Sequence, residues 1–450
     1  MPFISNTEEQ IRKMLQTIGV SSFKELLKNI PDELFVKNNL GLDAPLSEIE
    51  IAKKVTQLSK KNISTQENIN FLGGGIYDHF IPAAVDYITS RPEFYSAYTP
   101  YQAEVSQGTL QFIYEFQTMI CELTGMDAAN ASMYDGASAA AEALLMAKHY
   151  NRKKKFLIAD TIHPLYKEVI KTYTSALDVE IVYIPQEDGQ VNIEFIKDNI
   201  DKDVAAVLVQ SPNFFGIIED MKKIDPIVHK QRRTLLIAAV DPISLMLLNS
   251  PAEYNADIVV GEGQALGNHQ NYGGPLFGFF ASKKKFVRKM PGRIIGATHD
   301  TQDRRGYVMT LQTREQHIRR DKATSNICTN ESLCALAATV YMVLLGKKGL
   351  RKVSEQCLQK SHYLFDKINN IDGFEPAFSA PFFKEFVVRS DFEVDLVLRN
   401  MFEKGYFAGI DLTPYGYDDH LLIAVTEKRT KAELDNFAKK LEEDTKKLYL

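Results

Sequence analysis

Apolar and polar positions alternate in blocks along the middle of this chain. Helix-compatible stretches such as residues 164–176 and 192–199 separate short runs in which almost every residue is apolar. These runs are residues 155–160, 179–185, 204–210, 235–241, 257–261 and 275–281. Continuously apolar strands that alternate with helices are typical of a mainly parallel sheet covered on both faces. The pattern therefore predicts an α/β fold whose ligands bind at the carboxyl ends of the strands.

Residues 1–62 have a different pattern, which predicts a helical arm. Thr7 with Gln10 and Ser22 with Glu25 have the spacing of capping boxes. The segment LSEIEIAKKVTQLSKK has the apolar spacing of an amphipathic helix. This block is too polar to form a domain of its own, so we expect it to pack on the body of the protein or on a partner.

Two further blocks follow the arm. Residues 63–330 contain the alternating strands and helices and are expected to form a large α/β domain. Residues 331–450 begin with the helical run ESLCALAATVYMVLLGKKGL and contain the strand candidates KEFVVRS and HLLIAVT. We expect them to form a smaller C-terminal α/β domain that closes over the edge of the large one.

Composition and charge exclude several classes of protein. A chain of 450 residues with 45% hydrophobic residues is long enough to bury a large core in more than one domain. Its 53 basic and 58 acidic residues nearly balance, so nucleic acid is not an expected partner. No apolar run approaches the roughly 20 residues that span a bilayer. The first residues also lack the apolar core of a secretory signal, and we expect a cytoplasmic protein with no membrane contact.

The cysteines and histidines give no sign of a metal site. Cys121, Cys328, Cys334 and Cys357 are scattered, which fits reduced and mostly buried thiols better than a disulfide framework. The nine histidines are also dispersed, and no CxxC or HExxH spacing occurs. The sequence therefore predicts no metal centre.

A turn with the sequence YDGAS precedes the strong helix sequence AAAEALLMAKHY. Free backbone N–H groups at a helix N-terminus bind phosphate, and Ser138 would add a hydroxyl group. The alternative is that Asp135 or Ser138 only caps the helix. The turn is a candidate phosphate site.

Two polar residues follow apolar runs of the predicted sheet. Asp241 ends a run that is buried on both faces, so its carboxylate needs a partner. The alternative is a strand-end aspartate in an Asp-Pro turn. His163 follows the run at residues 155–160 and is a candidate for stacking on a ligand ring, although a lone histidine in a loop more often has no such role.

The order and spacing of Ser138, His163 and Asp241 resemble pyridoxal-phosphate (PLP) enzymes of the aspartate-aminotransferase fold. In such enzymes the aspartate pairs with the pyridinium nitrogen, the histidine stacks on the ring, and a lysine amine anchors the cofactor. Here no lysine lies between Lys230 and Lys283. The expected place of the anchor holds only glutamine, asparagine and histidine side chains, which cannot form an imine.

Two further segments make the resemblance specific, and these are FLGGGIYDHFIP at residues 71–82 and FYSAYTPYQAEVSQGTL at residues 94–110. Together with SMYDGASAAAEA and GEGQALGNHQNYGGPLFGFFA, they resemble the first subunit of the glycine cleavage system P-protein, from prokaryotes that split this enzyme into two chains. The similarity runs over essentially the whole chain.

The resemblance implies the PLP-dependent transferase type I fold and one subunit of a glycine dehydrogenase (decarboxylating). It implies a partner, P-protein subunit 2, which carries the lysine and the PLP, in a heterotetramer of the two chains. The enzyme would decarboxylate glycine and pass the aminomethyl group to the lipoyl arm of H-protein. This chain would complete the active-site cleft and shape the approach of that arm.

The same resemblance assigns roles to particular residues. Ser138, His163 and Asp241 would be remnants of a duplicated cofactor site. The two aromatic loops flank the substrate mouth in such folds, so the candidates for lining the working site are Tyr77, His79, Tyr95, Tyr98 and Tyr101. The alternative is that these tyrosines only pack at an interface.

Two other functions stay open. One is a self-sufficient PLP-dependent decarboxylase or desulfurase that uses a lysine elsewhere, such as Lys283, although that residue begins a polar KKK run and is expected to be solvated. The other is a non-catalytic scaffold or regulator of a PLP enzyme.

Overall fold

The computed structural model describes residues 5–36, 41–327 and 330–448. The chain divides into two compact units, Met1–Ile63 and Ser64–Leu450. We expected boundaries after residues 62 and 330. The structure has one boundary next to the first position, and it gathers residues 64–450 into a single unit that contains a seven-stranded sheet, a four-stranded sheet and three two-stranded sheets.

The first unit is helical. Its α-helices are Glu8–Ile18, Phe23–Leu26 and Glu48–Ser59. Thr7 and Gln10 form the expected capping box at the first helix. The capping box predicted for Ser22 and Glu25 does not form, because Ser22 makes no cap bond and the Glu25 carboxylate accepts from the backbone N–H of Ser21 instead. The helix after Ser22 is only four residues long.

A seven-stranded sheet forms the centre of the second unit. From one edge to the other its strands are Ala128–Ala129, Gly278–Ser282, Ile258–Glu262, Leu235–Ala239, Val204–Gln210, Lys155–Ala159 and Glu180–Ile184. Neighbouring strands are parallel, except that Gly278–Ser282 is antiparallel to both of its neighbours. The carboxyl ends of the parallel strands therefore meet along one edge of the sheet.

Apolar layers cover both faces of this sheet. Along the Lys155–Ala159 strand, Leu157 belongs to one buried cluster, whereas Phe156 and Ile158 belong to another. Successive side chains of a strand point to opposite faces, so the two clusters lie on opposite faces of the sheet. This arrangement explains why the strands are continuously apolar in the sequence.

Helices and short strand pairs complete the second unit. Its α-helices are Ala83–Thr89, Pro92–Tyr95, Gln107–Thr124, Gly136–Asn151, Pro164–Thr174, Ile193–Asn199, Met221–Lys230, Gln316–Arg319, Ser332–Ile368, Val394–Glu403 and Lys431–Leu448. The short pairs are Ile69–Asn70 with Tyr406–Phe407, Gln186–Glu187 with Gln190–Val191, and Ile294–His299 with Arg305–Thr310.

A second, four-stranded sheet is antiparallel throughout. Its strands, in spatial order, are Phe374–Pro376, Glu385–Ser390, His420–Ala424 and Ile410–Asp411. Gly216, which follows a strand of the large sheet, comes so close to it that an added Cβ would lie 2.0 Å from the carbonyl oxygen of Glu385. The beginning of the Glu385–Ser390 strand is therefore held next to the carboxyl edge of the large sheet.

One helix, Ser332–Ile368, is long and apolar enough to cross a membrane by length and composition. Half of its apolar window is buried inside the fold. The backbone is not helical at Gly346 (φ 57°, ψ −178°), and the part before this kink is shorter than the roughly 20 residues of a span. We interpret it as a core helix that bends at Gly346.

The thiols are consistent with the reduced state expected from the sequence. Cys121 is half-buried and Cys334 and Cys357 are buried, and all three are free. Cys328 lies outside the described residues.

Candidate functional site

A small cavity lies at the carboxyl edge of the large sheet. Gln210, Asp241 and Glu262, which end or follow parallel strands, line one side of it. Lys384 and Glu385 from the start of a strand in the second sheet line the other side. The cavity measures about 30 Å³, enough for one or two water molecules. This is the position where folds of this type bind ligands.

Asp241 forms an ion pair with a lysine that the sequence analysis did not identify. Lys384 Nζ lies 2.7 Å from Asp241 Oδ2, and the lysine side chain is only 1% exposed. The ammonium also lies 3.4 Å from the centroid of the Tyr77 ring, within cation–π range. The other Asp241 oxygen accepts from the backbone N–H of Ile243 at 2.9 Å. The carboxylate thus has the partner that its burial requires, and that partner comes from within the chain.

Tyr77 is buried and forms part of the same cluster. Its hydroxyl donates to Glu385 Oε2 at 2.7 Å, while Glu385 Oε1 accepts from the Gly74 N–H at 2.7 Å. Burial raises the pKa of Glu385 to about 7, although the Tyr77 hydroxyl and the Gly74 N–H oppose the increase. The Tyr77 backbone exchanges two hydrogen bonds with the Gln264 side chain. The Tyr77 side chain therefore points into this chain.

His79 extends the polar cluster away from the cavity. Its Nδ1 lies 2.6 Å from Glu427 Oε2, and its Nε2 lies 3.3 Å from Lys384 Nζ. An ammonium only donates, so the tautomer with its proton on Nδ1 satisfies both contacts. Burial raises the pKa of Glu427, but His79 and the N–H of Phe80 outweigh it and lower the pKa to about 2.

Cys357 lies close enough to His79 and Glu427 for the three to resemble a metal-ligand set, with ligand atoms within 4.8 Å of one another. The direct His79–Glu427 hydrogen bond uses the atoms that a metal would need. The Lys384 ammonium beside the ring would also repel a cation. We interpret the cluster as a buried hydrogen-bonded network. His79 has its side chain only 2% exposed, and like Tyr77 it faces the interior.

The helix Gly136–Asn151 begins next to the cavity, where the sequence suggested a phosphate site. Asp135 Oδ1 accepts from the Ser138 N–H at 2.6 Å, and Ser138 Oγ accepts from the Asp135 N–H at 3.2 Å. Ser138 is thus used in a capping box. The Gly136 N–H donates to Glu262 Oε2 at 3.0 Å. Side chains of this chain therefore take the N–H groups of Gly136 and Ser138, two of those that could hold a phosphate.

Glu262 is half-buried beside that helix N-terminus. Its other oxygen accepts from the N–H groups of Gln264 at 3.0 Å and Phe277 at 3.4 Å. Burial raises the pKa of Glu262 to about 8, against the effect of the N–H donors. The carboxyl group is therefore largely protonated at neutral pH.

His163 caps the helix Pro164–Thr174. Its Nδ1 accepts from the Leu165 N–H at 3.1 Å, and its Nε2 lies 2.7 Å from the carbonyl oxygen of Gly74, to which it donates. Burial lowers the pKa of His163, which keeps the ring neutral. The ring makes an edge contact with Phe214 at 5.0 Å. Both ring nitrogens are therefore occupied by the chain itself.

Tyr95, Tyr98 and Tyr101 have the opposite environment, because all three are exposed at the surface. Arg293 lies behind their loop with its guanidinium 5.5 Å from the centroid of the Tyr101 ring. Its Nη1 donates to Thr99 Oγ1 at 3.3 Å. Arg293 is itself buried and is paired with Glu315 at 3.6 Å. A buried arginine thus fixes an exposed aromatic loop.

Lys283, the lysine considered as a substitute anchor, lies at the other edge of the sheet. It follows the antiparallel strand Gly278–Ser282 and bonds to Asp257, which precedes a parallel strand, at 3.0 Å. We expected Lys283 to be solvated, but it is partly buried and is ion-paired. The amino edge of the parallel strands is far from the cavity at their carboxyl edge, so Lys283 does not serve that cavity.

PLP does not fit the cavity of this chain. The remaining volume of about 30 Å³ is far too small for a phosphorylated ring. Lys384 already pairs with the Asp241 carboxylate, which would otherwise pair with the ring nitrogen. Glu262 already accepts from the Gly136 N–H, which would otherwise hold the phosphate. The residues present therefore do not form a site for the cofactor.

The residues that fill the cavity were absent from the sequence interpretation. Lys384 and Glu385 stand between apolar residues in PFFKEFVV, and Glu262 directly follows the apolar run DIVVG. Charged residues in apolar strands are a signal of buried pairing. Their partners, however, are far away in the sequence.

Comparisons with known proteins agree on one family. A profile of the glycine cleavage system P-protein matches residues 1–441. The probable glycine dehydrogenase (decarboxylating) subunit 1 of Carboxydothermus hydrogenoformans is 51% identical over 98% of this chain and 99% of that protein. The protein of the same description from Prosthecochloris aestuarii is also 51% identical, over 98% and 99%.

Solved structures give the same result. A crystal structure of glycine decarboxylase (P-protein) of the glycine cleavage system, in inhibitor-bound form, superimposes with a TM-score of 0.91 at 39% identity, over 98% of this chain and 100% of that one. Glutamate decarboxylase of Lactobacillus brevis has a TM-score of 0.71 at 11% identity, over 94% and 96%, and shares the fold alone. The predicted PLP-dependent type I fold is confirmed.

Proposed function

The chain belongs to the glycine cleavage system P-protein family, and from this we infer that it is subunit 1 of a glycine dehydrogenase (decarboxylating). The enzyme uses PLP, as its fold neighbours do. We assign the cofactor to a second P-protein subunit, which carries the lysine, in a cytoplasmic heterotetramer. Glycine and the lipoyl arm of H-protein are the ligands in this proposal.

One observation carries the assignment of the cofactor to the partner. Lys384 forms an ion pair with Asp241 where a ring nitrogen would bind, and the Gly136 N–H donates its hydrogen bond to Glu262. A chain with this arrangement contributes to the reaction through its surface. The decarboxylation chemistry, which needs an electron sink, belongs to the subunit that binds the cofactor.

The exposed tyrosines are the part of this chain that we assign to the working site. Tyr98 is 75% exposed, and Tyr95 and Tyr101 are also exposed, so their rings are available to a partner surface. Arg293 fixes Tyr101 from behind, which reduces the entropy that ordering the loop would cost. Fixed aromatic side chains with hydroxyl groups orient a substrate by hydrogen bonds and exclude water. Tyr77 and His79 support the interior of this chain instead.

The test of cofactor location uses this chain, its partner subunit and their complex, each incubated with PLP and reduced with borohydride. Peptide mapping should find one pyridoxyl-lysine in the partner and none in this chain. A stoichiometric label on a lysine of this chain would favour the self-sufficient alternative. Lys384 is the residue to inspect first in that case, because it alone among the lysines that the structure describes lines the cavity.

The test of the reaction measures exchange of labelled bicarbonate into the carboxyl group of glycine in the presence of H-protein. The complex should be active, and each subunit alone should be inactive. Full activity of the partner subunit alone would mean that this chain is a scaffold or regulator.

A further inference from the structure

We propose that this chain holds a latent site for a phosphorylated cationic ring, and that two of its own side chains keep the site closed. Lys384 replaces the ring cation beside Asp241, and Glu262 replaces the phosphate at the start of the helix Gly136–Asn151. This inference goes beyond the proposed function. It concerns only the interior of this chain and holds whatever the partner subunit does.

The Lys384 ammonium stands where a cationic ring nitrogen would bind. Asp241 is about nine-tenths buried and needs a positive partner. Lys384 supplies it at 2.7 Å, and its ammonium is also positioned over Tyr77. An incoming ring nitrogen would have to displace this ammonium. The displaced charge would then be buried without its carboxylate, which is strongly unfavourable.

The Glu262 carboxyl group stands where a phosphate would accept hydrogen bonds. Three backbone N–H groups converge on the Glu262 carboxyl group, from Gly136 at 3.0 Å, Gln264 at 3.0 Å and Phe277 at 3.4 Å. The first of them belongs to the N-terminus of a 16-residue helix, where an anion is favoured. A phosphate at this place would lose these donors to Glu262.

The side chains of Lys384 and Glu262 also fill the space of the site. Lys384 and Glu262 both line the cavity, whose remaining volume is about 30 Å³. The surrounding wall still includes Tyr166 and Gln210 at the carboxyl edge of the sheet. Removing the long side chains of Lys384 and Glu262 would open room next to both Asp241 and Gly136.

The test compares the unaltered full chain with the variant Glu262→Ala/Lys384→Met. The probe is pyridoxine 5′-phosphate, which has a cationic ring and a phosphate but no aldehyde, so binding does not depend on a lysine. Calorimetry should show binding to the variant at least tenfold tighter than to the unaltered chain, with one probe per chain. The matched control is Glu142→Ala/Lys404→Met. It removes a buried carboxyl group from the helix Gly136–Asn151 and the ion pair between Lys404 and Asp444. It should bind no better than the unaltered chain.

Two results would overturn the proposal. One is stoichiometric binding of the probe to the unaltered chain that is lost in Asp241→Asn/Lys384→Met. The other is a folded Glu262→Ala/Lys384→Met variant that binds no tighter than the unaltered chain. If this variant does not fold, the single variant Glu262→Ala is tested with inorganic phosphate as the probe. The proposal is overturned if Glu262→Ala binds phosphate no tighter than the unaltered chain does. Neither result bears on the bicarbonate exchange, so failure here is distinct from failure of the proposed function.

Discussion

The ion pair between Asp241 and Lys384 has large consequences at the scale of single residues. Both side chains are removed from water, with exposed fractions of 10% and 1%. A buried pair contributes little net stability relative to an apolar pair of similar volume, whereas removing one partner leaves a buried charge. The two members should therefore be strongly coupled.

We predict that Asp241→Asn lowers the free energy of unfolding of this chain by about 3 to 5 kcal/mol, because it leaves Lys384 without its counter-charge. The variant Asp241→Asn/Lys384→Met should recover most of this loss. Urea unfolding followed by circular dichroism gives both values. Additive losses in the two single variants and the double variant would contradict the coupling.

Glu262 makes the stability of the fold depend on pH. Burial raises its pKa in the folded chain to about 8, whereas an unfolded glutamate titrates at about 4.3. The folded state therefore holds the proton more tightly. This contribution to stability is complete below the unfolded pKa and is lost as the pH rises through about 8.

We predict that Glu262→Gln, which mimics the protonated acid, reduces the loss of stability between pH 5 and pH 9 by on the order of a few kcal/mol. Unfolding free energies at a series of pH values test this. The matched control is Glu180→Gln on the edge strand, where the side chain is exposed. Parallel curves for Glu262→Gln and the unaltered chain would show that Glu262 does not carry the effect.

At the scale of elements, the kink in the helix Ser332–Ile368 depends on one glycine. Gly346 has φ 57° and ψ −178°, a region that only glycine adopts readily, and an added Cβ would meet no atom within 4 Å. A substitution there is therefore a test of backbone strain without a steric clash.

We predict that Gly346→Ala lowers the free energy of unfolding by about 1 to 3 kcal/mol through this strain. Thermal unfolding monitored by circular dichroism measures the change. The control Gly108→Ala also places a Cβ in open space, but inside the regular helix Gln107–Thr124, where alanine should stabilise by about 0.5 to 1 kcal/mol. Equal effects at the two positions would rule out a role for the kink geometry.

At the scale of the whole molecule, two sheets meet at one cavity and an aromatic loop lies on the surface. The cavity is closed by Lys384 and Glu262, and the loop is fixed by Arg293. In the proposed complex the interior of this chain is structural, and its surface takes part in the reaction.

We predict that Tyr98→Phe or Tyr101→Phe slows bicarbonate exchange by the complex roughly 30- to 1000-fold, because a well-placed active-site hydrogen bond contributes about 2 to 4 kcal/mol to the transition state. Size-exclusion chromatography should show unchanged assembly. Tyr183→Phe on the edge strand Glu180–Ile184 is the control and should be fully active. If both substitutions leave the rate unchanged, these hydroxyl groups only pack at an interface.

The sequence by itself determined the local structure of this protein. The apolar runs predicted six of the seven strands of the large sheet but not the edge strand Ala128–Ala129, and the capping box at Thr7 could also be predicted from the chain. These features depend on side-chain periodicity and on neighbours within four residues. The absence of an anchoring lysine between Lys230 and Lys283 was equally visible, since it is a property of composition.

Only the tertiary structure decided how the cavity at the carboxyl edge of the large sheet is filled. Lys384 reaches Asp241 because a strand of the second sheet begins beside the carboxyl edge of the first, and Glu262 reaches Gly136 because a helix starts next to its strand. Tyr77 and Tyr101 occupy similar aromatic loops in the sequence, yet one is buried against Glu385 and the other is exposed. Contacts between residues so distant along the chain leave no periodic signal, since the packing of whole elements brings them together.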